Sequence, residues 1–290
     1  MGRLLPVAMC LVGFMVFPLR ASEPNEVKLL TIGASFWSAG GGGFKVLKEF
    51  LAFKGRKVLT DSSAGLPGYF RALKLINNGD LESLKPSQKS ESYKKLCEKS
   101  VDSCLSAVKA QEWDFVCIMA HSSSPFGEDA IPTFDAFFDA LKKNASPKTK
   151  FVATMTWVKD PKKQTHEPIQ KYYREIAEKH GMLLAPSGDA FELVKKERPE
   201  IPIFRSDLEA FQTKNPGKTD RHPSVYGQYL NSCVVFAVIT GESPVGLPAK
   251  LADIKDDFSD KEGVGLGTPM DIPPAVAKSL QEAAWRVVKK

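Results

Sequence analysis

Short apolar runs alternate along this chain with longer stretches in which apolar residues recur every three or four positions. Val27-Lys28-Leu29-Leu30-Thr31-Ile32, ending in Gly33, predicts a buried strand. A Ser/Gly-rich loop spans 34–43, and helical spacing follows from Phe44 to Phe53. Lys57–Thr60 predicts a second strand, with turn-rich sequence over 61–68. Helical patterns over Tyr69–Asn77 and Tyr93–Gln111 lead to a third strand, Trp113–Met119, and the polar His121-Ser122-Ser123-Ser124-Pro125. The same alternation predicts a helix over Ile131–Lys142, a strand over Lys150–Met155, a helix over Pro168–His180 and a short strand over Met182–Ala185. A long apolar helix, Val225–Thr240, is entered by His222-Pro223-Ser224, and an amphipathic helix over Ala275–Lys289 closes the chain. Gly241 to Pro274 has no regular pattern and reads as an irregular wrap around the outside.

Strands alternating with helices predict an α/β fold, a parallel sheet with helices on both faces. No internal repeat or linker divides the pattern. Residues 22–290 therefore read as a single domain, with its core over about 28–248 and a C-terminal wrap and helix over 249–290.

Composition narrows the class. With 290 residues, 43% hydrophobic and 26% charged, the chain is neither disordered, fibrous nor a multi-span membrane protein. The net charge of +6 is spread along the sequence, which does not indicate nucleic-acid binding. Residues 1–21 combine a basic start (Arg3), an apolar run from Leu4 to Leu19 and Arg20-Ala21 before a polar stretch. This is the layout of a secretory signal peptide cleaved after Ala21. Pro6 and Pro18 interrupt the run, whereas a membrane span needs about 20 clean apolar residues. The expectation is a secreted or periplasmic protein with no stable membrane span after cleavage. Cys97, Cys104, Cys117 and Cys233 are few and irregularly spaced, and read as small buried apolar residues.

In a sheet of this kind ligands bind beyond the carboxyl ends of the strands. The polar loops at Gly33-Ala34-Ser35, Ser62–Gly68 and His121–Ser124 fall there, and the chain can return His222 to the same end. A serine hydroxyl becomes a useful nucleophile when an imidazole takes its proton and a third group orients that ring. From spacing alone Ser35 reads equally as a loop or capping serine, and His222 as a cap of the helix that follows.

Ile32-Gly33-Ala34-Ser35-Phe36 after the first strand, with His222-Pro223-Ser224-x-x-Gly227-x-Tyr229-Leu230, resembles the SGNH (GDSL) hydrolases. The likeness runs from about Lys28 to Pro248 and looks closest to a secreted bacterial branch. It implies a flavodoxin-like three-layer α/β/α sandwich, no metal or organic cofactor, and hydrolysis of carboxylic esters. It implies Ser35 as nucleophile and His222 as general base. Of the family's oxyanion donors, Ser35 supplies the first through its backbone N–H. Gly65 is the candidate for the second, with Gly68 behind it.

The sequence also departs from the family. Ala34 replaces the usual Asp of the first block, and no Asn follows the third strand, which leaves His121 or Ser122 as third donor. The family's acid lies three residues before the His, where this chain has Thr219. Asp220 lies two before it, and residues two apart in an extended stretch share a face. Asp220 either orients His222 or is a solvated surface charge; Asp189 and Asp207 are distant reserves.

The expected partner is a small-molecule or carbohydrate ester, an acyl group on a polysaccharide being what resemblance and export together suggest. The departures favour the alternative of a ligand-binding protein that kept the fold and lost catalysis. A lipase or thioesterase is the second alternative. Phe36 and Trp37, beside the nucleophile, either line an acyl or sugar subsite or belong to the core. Gly40–Gly43 followed by Lys45 lacks the Gly-Lys-Ser/Thr ending of a phosphate loop and reads as a mobile loop beside the site. His166 and His180 have no Cys or His at ligand spacing and read as surface residues.

Overall fold

The computed structural model describes residues 26–33, 35–63, 67–120, 129–256 and 266–290; the 1–21 segment read as a signal peptide lies outside them. Five strands, β1 (Glu26–Gly33), β2 (Lys57–Ser63), β3 (Phe115–Met119), β4 (Lys150–Thr154) and β5 (Leu183–Ala185), form one parallel sheet in the order β2-β1-β3-β4-β5. This is the flavodoxin-like order, with its switch point between β1 and β3, and it is the α/β/α fold the sequence predicts.

The apolar runs follow from burial on both faces. Val27 and Leu29 of β1 point into one core, and Leu30 and Ile32 into the other. The first core is covered by α1 (Ser35–Ser38), α2 (Gly43–Phe53), α7 (Ser187–Glu197), α9 (Val225–Thr240) and α10 (Pro274–Val288). The second is covered by α4 (Glu91–Lys109), α5 (Ala130–Asn144) and α6 (His166–His180). A satellite cluster joins α3 (Pro67–Asn77) to α4. Helix α9 is apolar all round because α2, α7 and α10 enclose it, α10 most extensively.

The structure corrects several sequence readings. β2 extends through polar Asp61-Ser62-Ser63, since an edge strand pairs with β1 through its backbone whatever its side chains. Trp113 precedes β3 and is buried, its indole N–H donating to the Ala107 carbonyl at 2.8 Å. Helix α7 went unpredicted because Pro186 and Gly188 mask its start, although Ala190, Phe191 and Val194 mark its apolar stripe. A 3₁₀ turn at Arg205–Asp207 and α8 (Glu209–Lys214) were likewise unforeseen. The supposedly irregular 241–274 segment contains an antiparallel hairpin, β6 (Lys250–Asp256) and β7 (Thr268–Asp271). Among the described residues no helix is long and apolar enough to cross a membrane.

The four described cysteines are free and buried, as expected. Burial pushes the Cys104 thiol up to about 12 and that of Cys233 well above its ordinary value, so neither is a ready nucleophile.

Candidate active site

Ser35 opens α1 directly after β1, two residues beyond the Gly33–Met119 pairing of β1 with β3. The turn is tight: a Cβ at Gly33 would stand 2.5 Å from Trp37 Cδ1 and 2.9 Å from the Met119 carbonyl oxygen. Phe36 and Trp37 are buried, and Phe36 stacks on Trp157 at 4.8 Å between ring centroids. They fasten the turn at Ser35 to the core rather than facing outward.

The glycine-rich loop has a packing role. Gly40, with φ of +65°, lies so close to the start of α9 that a Cβ would come within 2.3 Å of the Ser224 carbonyl oxygen. At Gly43 a Cβ would meet the Gln228 side-chain amide at 2.0 Å and Trp37 Cε3 at 2.3 Å. The Gln228 amide is oriented by its surroundings to donate to the Phe36 carbonyl (3.1 Å) and accept from Gly43 N–H (2.9 Å). Gly40–Gly43 are all buried, which corrects the reading of a mobile loop.

His222 arrives from the C-terminal half, just ahead of α9. Ser224 caps that helix, its hydroxyl accepting from the N–H groups of Tyr226 (3.1 Å) and Gly227 (3.3 Å). The preceding segment is laced to the 3₁₀ turn: Arg205 N–H donates to the His222 carbonyl (2.9 Å) and Ser206 N–H to that of Asp220 (3.1 Å). Trp157 adds an indole N–H to the Arg221 carbonyl at 3.0 Å. Phe36 meets the His222 ring edge-on, with centroids 5.2 Å apart.

The result is a continuous relay. Ser35 Oγ lies 2.8 Å from His222 Nε2, and His222 Nδ1 lies 2.6 Å from Asp220 Oδ1. A carboxylate only accepts, so Nδ1 carries a proton, and with no second proton on the ring Nε2 is left to accept from the serine hydroxyl. Asp220 Oδ1 also accepts the His222 backbone N–H at 2.9 Å. This two-residue Asx turn explains how an acid two positions before the His reaches the ring. The other oxygen, Oδ2, accepts from Arg205 Nη1 at 3.2 Å. Burial alone would raise the Asp220 carboxyl. Hydrogen bonds from the His222 ring and N–H, with the charges of His222 and Arg205, outweigh it and hold the group below the usual carboxylate range.

Gly65 and His121, with Ala34 and Ser122, lie outside the described residues, which leaves Ser35 N–H and Gly68 as the oxyanion candidates within them. Gly68 sits exposed in the first turn of α3. Asp207 accepts from Phe204 N–H at 3.0 Å, and Asp189 pairs with His166, so neither reserve acid serves His222. The surface reading of the two other histidines is corrected as well. His166 Nε2 lies 2.6 Å from Asp189 Oδ1 and His180 Nε2 lies 2.8 Å from Asp135 Oδ1, with the His side chains 19% and 11% exposed. Among the described residues no cluster of three His, Cys, Asp or Glu is placed to hold a metal ion. Sequence reasoning missed Arg205, whose side chain is wholly buried; an arginine amid unassigned sequence gave no signal.

No protein-family model matches this chain, and no curated protein sequence matches it. Among solved structures it is similar to a DUF4886 family protein from Bacteroides uniformis, at 14% identity and a TM-score of 0.56, over 91% of this chain and 95% of that one. An acetylxylan esterase from Geobacillus stearothermophilus aligns at 17% identity over 74% of this chain and 95% of its own, with a TM-score of 0.42. The catalytic domain of a peptidoglycan O-acetyltransferase from Streptococcus pneumoniae aligns at 16% over 74% and 93%, with a TM-score of 0.37. At 14% identity the first likeness speaks for the fold alone.

Proposed function

We propose that this protein is an exported serine esterase of the SGNH type, acting on short acyl esters such as those on carbohydrate. The observation that supports the reading is the unbroken Ser35–His222–Asp220 relay, with both links within hydrogen-bond distance. A serine merely capping a turn has no need of an imidazole nitrogen at 2.8 Å. Export rests on the character of residues 1–21, and the acyl class on the resemblance around Ser35 and His222.

The steps balance within these residues. His222 Nε2 takes the Ser35 proton as Oγ bonds to the ester carbonyl carbon, and Asp220 steadies the imidazolium that forms. Backbone N–H groups, that of Ser35 among them, face the developing oxyanion. Collapse breaks the carbon–alkoxide bond, and His222 protonates the departing alcohol. A water then attacks the acyl-enzyme, giving its proton to His222, and breakdown releases the acid and restores the Ser35 hydroxyl.

A fluorophosphonate tests this with no knowledge of the substrate. Ser35 Oγ displaces fluoride from phosphorus, and peptide mass spectrometry locates the new Oγ–P bond. The expected result is an adduct on Ser35 that is absent from His222→Ala. A folded protein that resists labelling would instead be a ligand-binding relative with an inert serine. Turnover that rises with acyl chain length would point to a lipase or thioesterase.

A further inference from the structure

We propose that Asp256, on the C-terminal hairpin, is a positioning residue for this site, one buried carboxylate tying the nucleophile's turn to the group that holds Asp220. The proposal rests on the serine-esterase reading and adds to it a segment beyond the 28–248 region of resemblance.

Asp256 and Arg205 are both 0% exposed. Asp256 Oδ2 accepts from Arg205 Nε at 3.1 Å, and the same guanidinium reaches Asp220 Oδ2 through Nη1 at 3.2 Å. Asp256 Oδ1 accepts the Gly40 backbone N–H at 3.3 Å. Gly40 follows α1 in the turn that starts at Ser35. The strand carrying Asp256 also packs on this turn, since a Cβ at Gly41 would stand 2.5 Å from Ile254 Cγ2. The contacts close a ring from Ser35 through Gly40, Asp256, Arg205, Asp220 and His222 back to Ser35.

Burying two full charges is costly before their attraction offsets it, and such pairs contribute little net stability. Their geometric effect is more distinctive. A guanidinium is planar with fixed donor directions, so a carboxylate fixed on Nε sets the line along which Nη1 meets Asp220. Asp220 in turn sets the His222 ring plane. An apolar pair would fill the volume and leave Asp220 Oδ2 without the donor that fixes it.

Asp256→Asn keeps the shape and removes the charge. Among the described residues, the charged groups on the His222 segment and the elements packed against it then include Asp220 and Arg205, with Arg221 stacked over Phe204 and Asp207 on the Phe204 N–H. Losing one nearby negative charge disfavours the imidazolium. The acid limb of the pH profile for fluorophosphonate labelling of Ser35 should therefore move about one unit to lower pH. The plateau rate should also fall about tenfold through looser orientation. A folded Asp256→Asn protein with the wild-type profile overturns the proposal and leaves the esterase reading intact. Wild-type protein that does not label at all overturns both.

If circular dichroism shows Asp256→Asn unfolded, Arg205→Lys replaces it, keeping the charge and losing the two-directional fork. Its plateau rate should fall about tenfold with the acid limb in place, and an unchanged plateau overturns the proposal.

Discussion

Two histidine–aspartate pairs in this molecule look alike in isolation and differ in what lies on the far side of the ring. His222 and His166 each hold a carboxylate oxygen at 2.6 Å, and both rings are mostly buried. His222 spends Nδ1 on Asp220 and turns Nε2 to Ser35. His166 spends Nε2 on Asp189, while its Nδ1 is buried with no hydrogen-bond partner among the described residues. Ser187, two residues before Asp189, also has a buried hydroxyl without a partner among the described residues, and the second pair does not reach it. Gln170 and Arg174 donate to Asp189 as well, at 2.9 and 3.3 Å, making it a fastening between α6 and α7. A His–Asp pair is common structural hardware. It becomes chemical when the second ring nitrogen meets a hydroxyl at the end of the sheet where substrate can bind.

The sharpest test of that difference replaces the members of each pair. Ser35→Ala should abolish ester hydrolysis, and His222→Ala should reduce it by roughly a thousandfold or more, with unchanged circular dichroism. His166→Ala should leave hydrolysis untouched and lower the melting temperature. Equal loss of activity from His166→Ala and His222→Ala would erase the distinction between the pairs. Asp220→Asn should slow hydrolysis by about 10²- to 10⁴-fold because Nδ1 loses its acceptor of fixed orientation. Asp189→Asn should leave the rate alone.

A smaller effect comes from the mounting of the serine. Gly43→Ala forces a methyl group against Gln228 and Trp37, an overpacking that costs about 1–3 kcal/mol in urea unfolding. Activity should drop with it, because Gln228 bridges Phe36 and Gly43. Gly181→Ala is the matched control: its φ of +63° strains the backbone, but a Cβ there meets nothing within 4 Å. Its stability cost should be about 1 kcal/mol, with no change in rate.

The gentlest probe is acid. For Asp189, burial acts to raise the carboxyl, but hydrogen bonds from His166 and Gln170 and the charges of His166 and Arg174 hold it below the usual range. The stability this supplies is complete above the unfolded value and is lost as pH falls through the folded one. The melting temperature should accordingly decline as pH drops below about 4. Asp189→Asn should flatten part of that decline, and an undiminished slope would remove Asp189 from the account.

Much of this protein was legible as a string of residues. Apolar runs buried on both faces identify β1, β3 and β4, and amphipathic spacing identifies α2, α5, α6 and α10 to within a residue or two. Helix α9 matched its expected bounds, Val225–Thr240, because its cap, its apolar body and Gly241 at its end are all local signals. Ser35 and His222 stand out as candidates through short motifs beside such elements, since a motif needs only its neighbours in the chain. Hydrogen bonds that join distant segments leave no such trace. Whether Asp220 was a surface charge or a ring partner depended on an Asx turn and on an arginine fifteen residues away. Nothing local shows that Asp189 pairs with His166, or marks Asp256 in a stretch that reads as irregular wrap. Polar contacts are short-ranged and directional, so only the packed chain decides which carboxylate faces which ring.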